Sequence, residues 1–132
     1  MGTTKYPQDA YNKIHSQVGS DIQFYNVQFY NQGSTSYNSS QGLFNISGGW
    51  SPGTSVNEIH ARGIPLDKIV VGKPATQSDA YDSFSYIPPA TINPIFVTAY
   101  KHNGWKAGMM EWQFRSDSDS AIIDEALRGL IS

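Results

Sequence analysis

The chain has 132 residues, long enough for one enclosed core and well short of the about 250 residues of a complete eight-stranded α/β barrel. Nine Lys plus Arg against eleven Asp plus Glu give a formal net charge of -2, and the basic residues stand singly, so no stripe fits a nucleic-acid backbone. The absence of cysteine excludes disulfides, thiolate metal sites and a cysteine nucleophile. Residues 1–11 are polar and show neither a signal peptide nor a membrane anchor; cytoplasmic and secreted locations are both compatible with the chain.

In chain order, a helix is expected near 7–18, with Pro7 in its first turn, Tyr11, Ile14 and Val18 on one side, and Gly19 as its stop. The next stretch, 21–31, reads DIQFYNVQFYN. Its aromatic and β-branched residues, uninterrupted by Pro or Gly, predict a strand near 22–30. A period of two places Asn26, Gln28 and Tyr30 on one face and Val27 and Phe29 on the other. The polar face has two readings, a hydrogen-bonded interior layer or a pocket at the strand's end.

Residues 32–49, rich in Gly, Ser and Asn, read as a long loop with a short local strand at 43–46; loops of this length are more often functional than connective. A helix near 52–62 follows, capped by Ser51, with Pro52 in its first turn and Glu58 placed to pair with Arg62 four residues on. Gly63 ends it. The apolar run Ile69, Val70, Val71 has the character of a buried parallel strand, near 69–73, closed by Pro74. After a polar stretch, 91–101 is ambiguous between helix and strand; helix is preferred because two parallel strands need a crossover. A third strand is expected near 107–113 (AGMMEWQ) and a last helix near 120–130, capped by Ser118 or Ser120. The order is that of parallel β/α units within one domain, 1–132.

Eight Tyr, six Phe and three Trp accompany abundant neutral amides and hydroxyls. Such a mixture suits a surface for a polar, uncharged ligand such as a saccharide, and equally suits partly buried core aromatics.

Three segments together carry a resemblance. YNVQFYN (25–31), IVVGKPA (69–75) and GMMEW (108–112) closely resemble the sixth, seventh and eighth barrel strands of family 18 glycoside hydrolases, the chitinases and endo-N-acetylglucosaminidases. SGGWSPG (47–53) and YIPPATI (86–92) are similar to the linking segments of fungal or plant-type members. The resemblance implies a partial (β/α)8 barrel of about three to four units. It also implies substrate-binding roles: Gln28 and Tyr30 match the pair that enters the active site, the tyrosine touching the substrate N-acetyl group, and Asn31 continues that motif. Trp112 matches the tryptophan that floors the subsite at the scissile bond, and Met110 the inward residue two before it.

The same family places its catalytic glutamate at the end of an Asp-rich motif on the fourth strand, and no D-x-x-D-x-D-x-E pattern occurs here. A general acid must lie within proton-transfer reach of the scissile oxygen. Asp117 and Asp119 have the local spacing, lack the trailing Glu, and read as helix-entry charges. Glu111 neighbours Trp112, but alternation turns it to the outer layer, where a basic or amide partner is expected. His15, His60 and His102 lie apart with no metal-ligand spacing. The expectation is therefore a noncatalytic, lectin-like binder of an N-acetylated glycan, with no catalytic residue, cofactor or metal, and no nucleic-acid or membrane partner. Its alternatives are an inactive or oligomerisation-dependent portion of a chitinase-type hydrolase, and an interaction protein with a vestigial sugar site. Three parallel strands expose two edges, so self-association, most simply as a dimer, is also expected.

Overall fold

The central strand forms where the apolar run is densest. β2 (Ile69–Pro74, IVVGKP) is buried at every position, as a strand covered on both faces must be. In the computed structural model, which describes residues 9–33, 37–49 and 51–130, β1 (Tyr25–Gln28) and β3 (Met109–Trp112) flank it in the order β1-β2-β3, both parallel to it. Helices α1 (Ala10–Val18), α2 (Val56–Ala61), α3 (Pro89–Asn103) and α4 (Ala121–Ala126) are interleaved with the strands. The result is a partial, unclosed parallel sheet, a portion of a (β/α)8 barrel. Pro7 and Trp50 lie outside the described residues. Among the described residues, no helix is long and apolar enough to cross a membrane.

The odd-numbered residues of the strands face the helices. Val71 pairs with Val27 on one side and Met109 on the other, and these rows meet a core of Phe29, Leu43, Val56, Ile92 and Phe96. Trp105 is fully buried there. Its ring lies 5.1 Å from that of Phe44 and 4.9 Å from that of Phe96, and its indole N–H donates to the Ile69 carbonyl at 2.9 Å. A buried indole needs such an acceptor, since an unpaired one costs about 1–3 kcal/mol.

Several local expectations are corrected. The first strand is confined to Tyr25–Gln28. The piece at 43–46 is no strand: Gln41–Asn45 forms a π-helical turn that buries Leu43 and Phe44. α2 begins later than Ser51 because Ser55 is the better cap. Its hydroxyl accepts from the Glu58 N–H while the Glu58 carboxylate accepts from the Ser55 N–H, a reciprocal capping box. Glu58 also accepts from the N–H and hydroxyl of Ser47, each at 3.0 Å. Engaged there, it does not serve Arg62, whose guanidinium donates to the Gly53 carbonyl instead.

The ambiguous segment is helical. α3 runs from Pro89 to Asn103 with Pro94 inside it, and Gly104 in the left-handed region (φ 77°) ends it. Neither Ser118 nor Ser120 caps α4 through its side chain. Asp117 does so, its carboxylate accepting from the N–H groups of Ile122 and Ile123 at 3.0 and 3.2 Å.

Candidate functional site

The even-numbered strand residues define the other face of the sheet, which corresponds to a barrel interior. Register aligns Gln28 with Gly72 and Gly72 with Met110 in one row, and Pro74 with Trp112 in the next. Gly72 permits the close packing of that row. A Cβ there would stand 2.7 Å from the Val27 carbonyl oxygen and 2.8 Å from the Met110 methyl, so the Met110 side chain lies over the space glycine leaves. Asn26 and Gln28 are exposed, Met110 is half-buried, and Trp112 keeps 49% of its surface open. The Trp112–Gln113 peptide is cis.

Of the five expected binding residues, Gln28, Met110 and Trp112 are thus on one face in adjacent rows. Tyr30 follows the end of β1 and is only 5% exposed, and that burial raises its phenol pKa. Asn31 has a different engagement. Its backbone is in the left-handed region (φ 59°), its side-chain oxygen accepts from the N–H groups of Tyr81 and Asp82 at 2.8 and 3.3 Å, and its own N–H donates to the Ser85 hydroxyl at 3.2 Å. It fastens the loop after β2 to the end of β1. Asp82 works beside it, accepting from Gly33 N–H at 3.0 Å.

Directly behind this face lie two ionisable groups aligned in register, Lys73 and Glu111. They do not pair with each other. Lys73 is fully buried and donates to the carbonyls of Phe29 and Tyr37 at 2.9 and 3.0 Å, joining the end of β1 to the long loop. Burial lowers its pKa to about 7 against the opposing pull of Asp82. Lys73 was missed as a positioning residue, although a period of two from Ile69 and Val71 already sets it on the apolar side.

Glu111 does take the helix side, away from Trp112, but the basic or amide partner expected for it is not what it meets. Burial first, then the hydrogen bond and charge of Asp117, then Asp79, push its pKa up to about 8. Its Oε2 is buried without a hydrogen-bond partner. A protonated Glu111 donating to Asp117 is the arrangement these neighbours favour, since two like charges in contact disfavour joint ionisation. Asp79 is held low by the Thr76 hydroxyl first, against some burial, with help from Ser116 and Gln113. Its two bonds to Gln113 and Ser116, at 3.1 and 2.9 Å, tie the loop after β2 to the segment after β3.

Chemically, the even-numbered strand positions offer an aromatic plate, two primary amides and a thioether, and none of them is a carboxylate. Glu111 lies on the opposite side of the strand and has no line to a ligand resting on Trp112. Among the described residues, no three His, Asp or Glu side chains gather as a metal site. Two clefts occur elsewhere: one of about 320 Å³ between Phe44, Asn57, Ile95 and His102, and one of about 100 Å³ beside Trp105 and Leu127. Neither is formed by Gln28, Met110 or Trp112.

No family model matches the chain, and no curated protein matches it. Among solved structures, it is similar to the crystal structure of a GH18 chitinase from Pseudoalteromonas aurantia, with 26% identity and a TM-score of 0.66. The match covers 89% of this chain and 39% of the chitinase chain, so the chain spans well under half of the length of that protein. The chain is therefore a distant structural homologue of part of a GH18 chitinase fold.

Proposed function

We propose that this chain is a carbohydrate-recognition module for an N-acetylated glycan of the chitin type and does not cleave it. The observation that carries this reading is Trp112, half-exposed at the end of β3 on the same face as Gln28 and Met110. A pyranose presents an apolar C–H face to an aromatic plate and hydroxyl or acetamido edges to an amide, and this face has both. The likeness to a chitinase fold supports the choice of N-acetylglucosamine-type sugars. Among the described residues, no strand position on the Trp112 side carries a carboxylate, which supports binding over hydrolysis, because protonation of a glycosidic oxygen needs an acid within reach.

Isothermal titration with chitin oligomers tests it. Saturable heat in the parent protein, lost in Trp112→Ala and weakened in Gln28→Ala, is the expected result; equal binding by all three overturns the assignment of the face. Turnover of a chromogenic chitobioside by the chain alone overturns the noncatalytic part. A second reading, an interaction protein with a vestigial sugar site, is favoured by the burial of Tyr30 and the engagement of Asn31 in loop contacts. It predicts no heat with any oligomer.

A further inference from the structure

We propose that the cleft between α2, α3 and the π-helical turn is a ligand site separate from the sheet face, for an uncharged single-ring sugar. Its lining belongs to the helix side of the sheet and does not include Gln28, Met110 or Trp112, so it stands apart from the reading of that face. The volume is about 320 Å³, at the small end of the roughly 300–1,000 Å³ of small-molecule sites. One ring fits it better than an extended chain.

Part of the lining is apolar and fixed. Phe44 and Ala99 are almost wholly buried, and Ile95 joins them along the cleft. The Phe44 ring is held edge-on by those of Phe96 and Trp105, at 6.2 and 5.1 Å between centroids. The polar part is a row of amides from three elements. Asn103, at the end of α3, donates to the Asn57 side-chain oxygen at 2.7 Å. Asn57, in the first turn of α2, donates to Asn45 at 3.1 Å, and Asn45, closing the π-helical turn, donates to Gln41 at 3.1 Å. The Asn103 oxygen in turn accepts from the Trp105 N–H at 3.1 Å, which anchors the row to the core.

A primary amide carries two N–H donors and two lone pairs. Among the described residues, these bonds take one of each from Asn45, Asn57 and Asn103, so each keeps a donor and an acceptor for a guest. Exposed amide pairs gain little over their bonds to water. The consequence of the row is orientation: three donor–acceptor pairs held in place around one hollow. Among the described residues lining it, His102 is the one titratable side chain, and no Asp, Glu, Lys or Arg joins it. A carboxylate, phosphate or ammonium would give up hydration there without an adequate counter-charge. A pyranose has no charge to desolvate. Its hydroxyls donate and accept as the amides do, and its C–H face suits Phe44 and Ile95.

The test uses isotope-labelled protein carrying Trp112→Ala, so that binding at the sheet face and binding in the cleft fail separately. Glucose, mannose, galactose and N-acetylglucosamine are titrated one at a time. The nuclear magnetic resonance signals of the side-chain amides of Asn45, Asn57 and Asn103 are followed, with that of Asn12, held by the Arg62 carbonyl, as the control outside the cleft. The expected result is a saturable shift of the three together with at least one sugar, none at Asn12, and none with adenine, a ring with amide-like edges but no hydroxyls. Thr98→Trp, at an exposed lining position on α3, fills the cleft, leaves the circular dichroism unchanged and raises the midpoint about tenfold or more. Thr91→Trp, exposed on the same helix but outside the cleft, does not. Absence of saturation with all four sugars overturns the proposal, as does a midpoint indifferent to Thr98→Trp. A larger response to adenine than to any sugar overturns the choice of ligand.

Discussion

Lys73 brings an ammonium into the interior, where two carbonyls 36 and 44 residues away in sequence receive it. Lys73→Ala removes both hydrogen bonds from its one nitrogen and empties the space of the stem. Unfolding in urea should show a loss of about 2–4 kcal/mol, combining unsatisfied acceptors with a cavity. The pH dependence has a definite sign. The unfolded lysine holds its proton up to about 10.5 and the folded one only to about 7, so the unfolded chain binds more protons between these values and stability rises with pH across that window. Glu111 acts oppositely. Its folded pKa of about 8 exceeds the ordinary 4.5, so its contribution is complete below about 4.5 and is lost as pH rises through about 8. Glu111→Gln should flatten the fall between those limits, as measured by urea midpoints at stepped pH. The side of the strand on which each group lies follows from alternation in the sequence. Their partners do not, because Tyr37 and Asp117 reach them only through the fold.

At the scale of elements, β2 was the most legible piece, because an unbroken apolar run between turn residues has few alternatives. Its glycine is the most constrained position in it. Gly72→Ala sets a methyl group against the Val27 backbone as well as the flexible end of Met110, and the backbone cannot yield as the side chain can. Thermal unfolding should show a loss of about 1–3 kcal/mol, only partly restored by adding Met110→Ala. The start of α2 was misplaced for a physical reason: Ser51 and Ser55 are both good caps, and only Ser55 has an acidic residue three positions on that also meets Ser47. Burial alone would raise the Glu58 pKa, but its bonds from Ser47 and Ser55 outweigh that and hold it at about 2. The stabilisation is therefore present above about 4.5 and lost as pH falls through about 2. Ser55→Ala should cost about 0.5–2 kcal/mol, read from the urea midpoint at neutral pH. The π-helical turn at Gln41–Asn45 escaped notice because its apolar pair, Leu43 and Phe44, is too short to reveal a period.

For the whole molecule, the order and parallel sense of the strands were legible, because alternating strand and helix patterns leave few topologies. The candidate site was legible in part. Spacing on β3 put Met110 and Trp112 on one face, and register adds Gln28 to it. The loop contacts of Asn31 depend on a segment some 50 residues away and could not be read from its own strand. Stability should also be uneven across the sheet. Phe29 N–H donates to the Gly72 carbonyl, so by alternation the N–H groups of Asn26 and Gln28 turn away from β2; amides of β2 are expected to exchange slowest and these two as in open loops, and amide exchange followed by mass spectrometry checks this.

Among the described residues, the contrast between Trp105, sealed against Phe44 and Phe96, and Trp112, half-exposed at the end of β3, gives two optical reporters of different character. An indole in an apolar enclosure emits toward the blue and is shielded from aqueous quenchers, whereas one facing water emits toward the red and is readily quenched. In a Trp50→Phe background, which leaves these two indoles alone, iodide should thus suppress the red component while the blue one persists until the chain unfolds. Sugar stacking on Trp112 would shield the first without altering the second, so occupancy and folding can be followed in the same cuvette as separate colours.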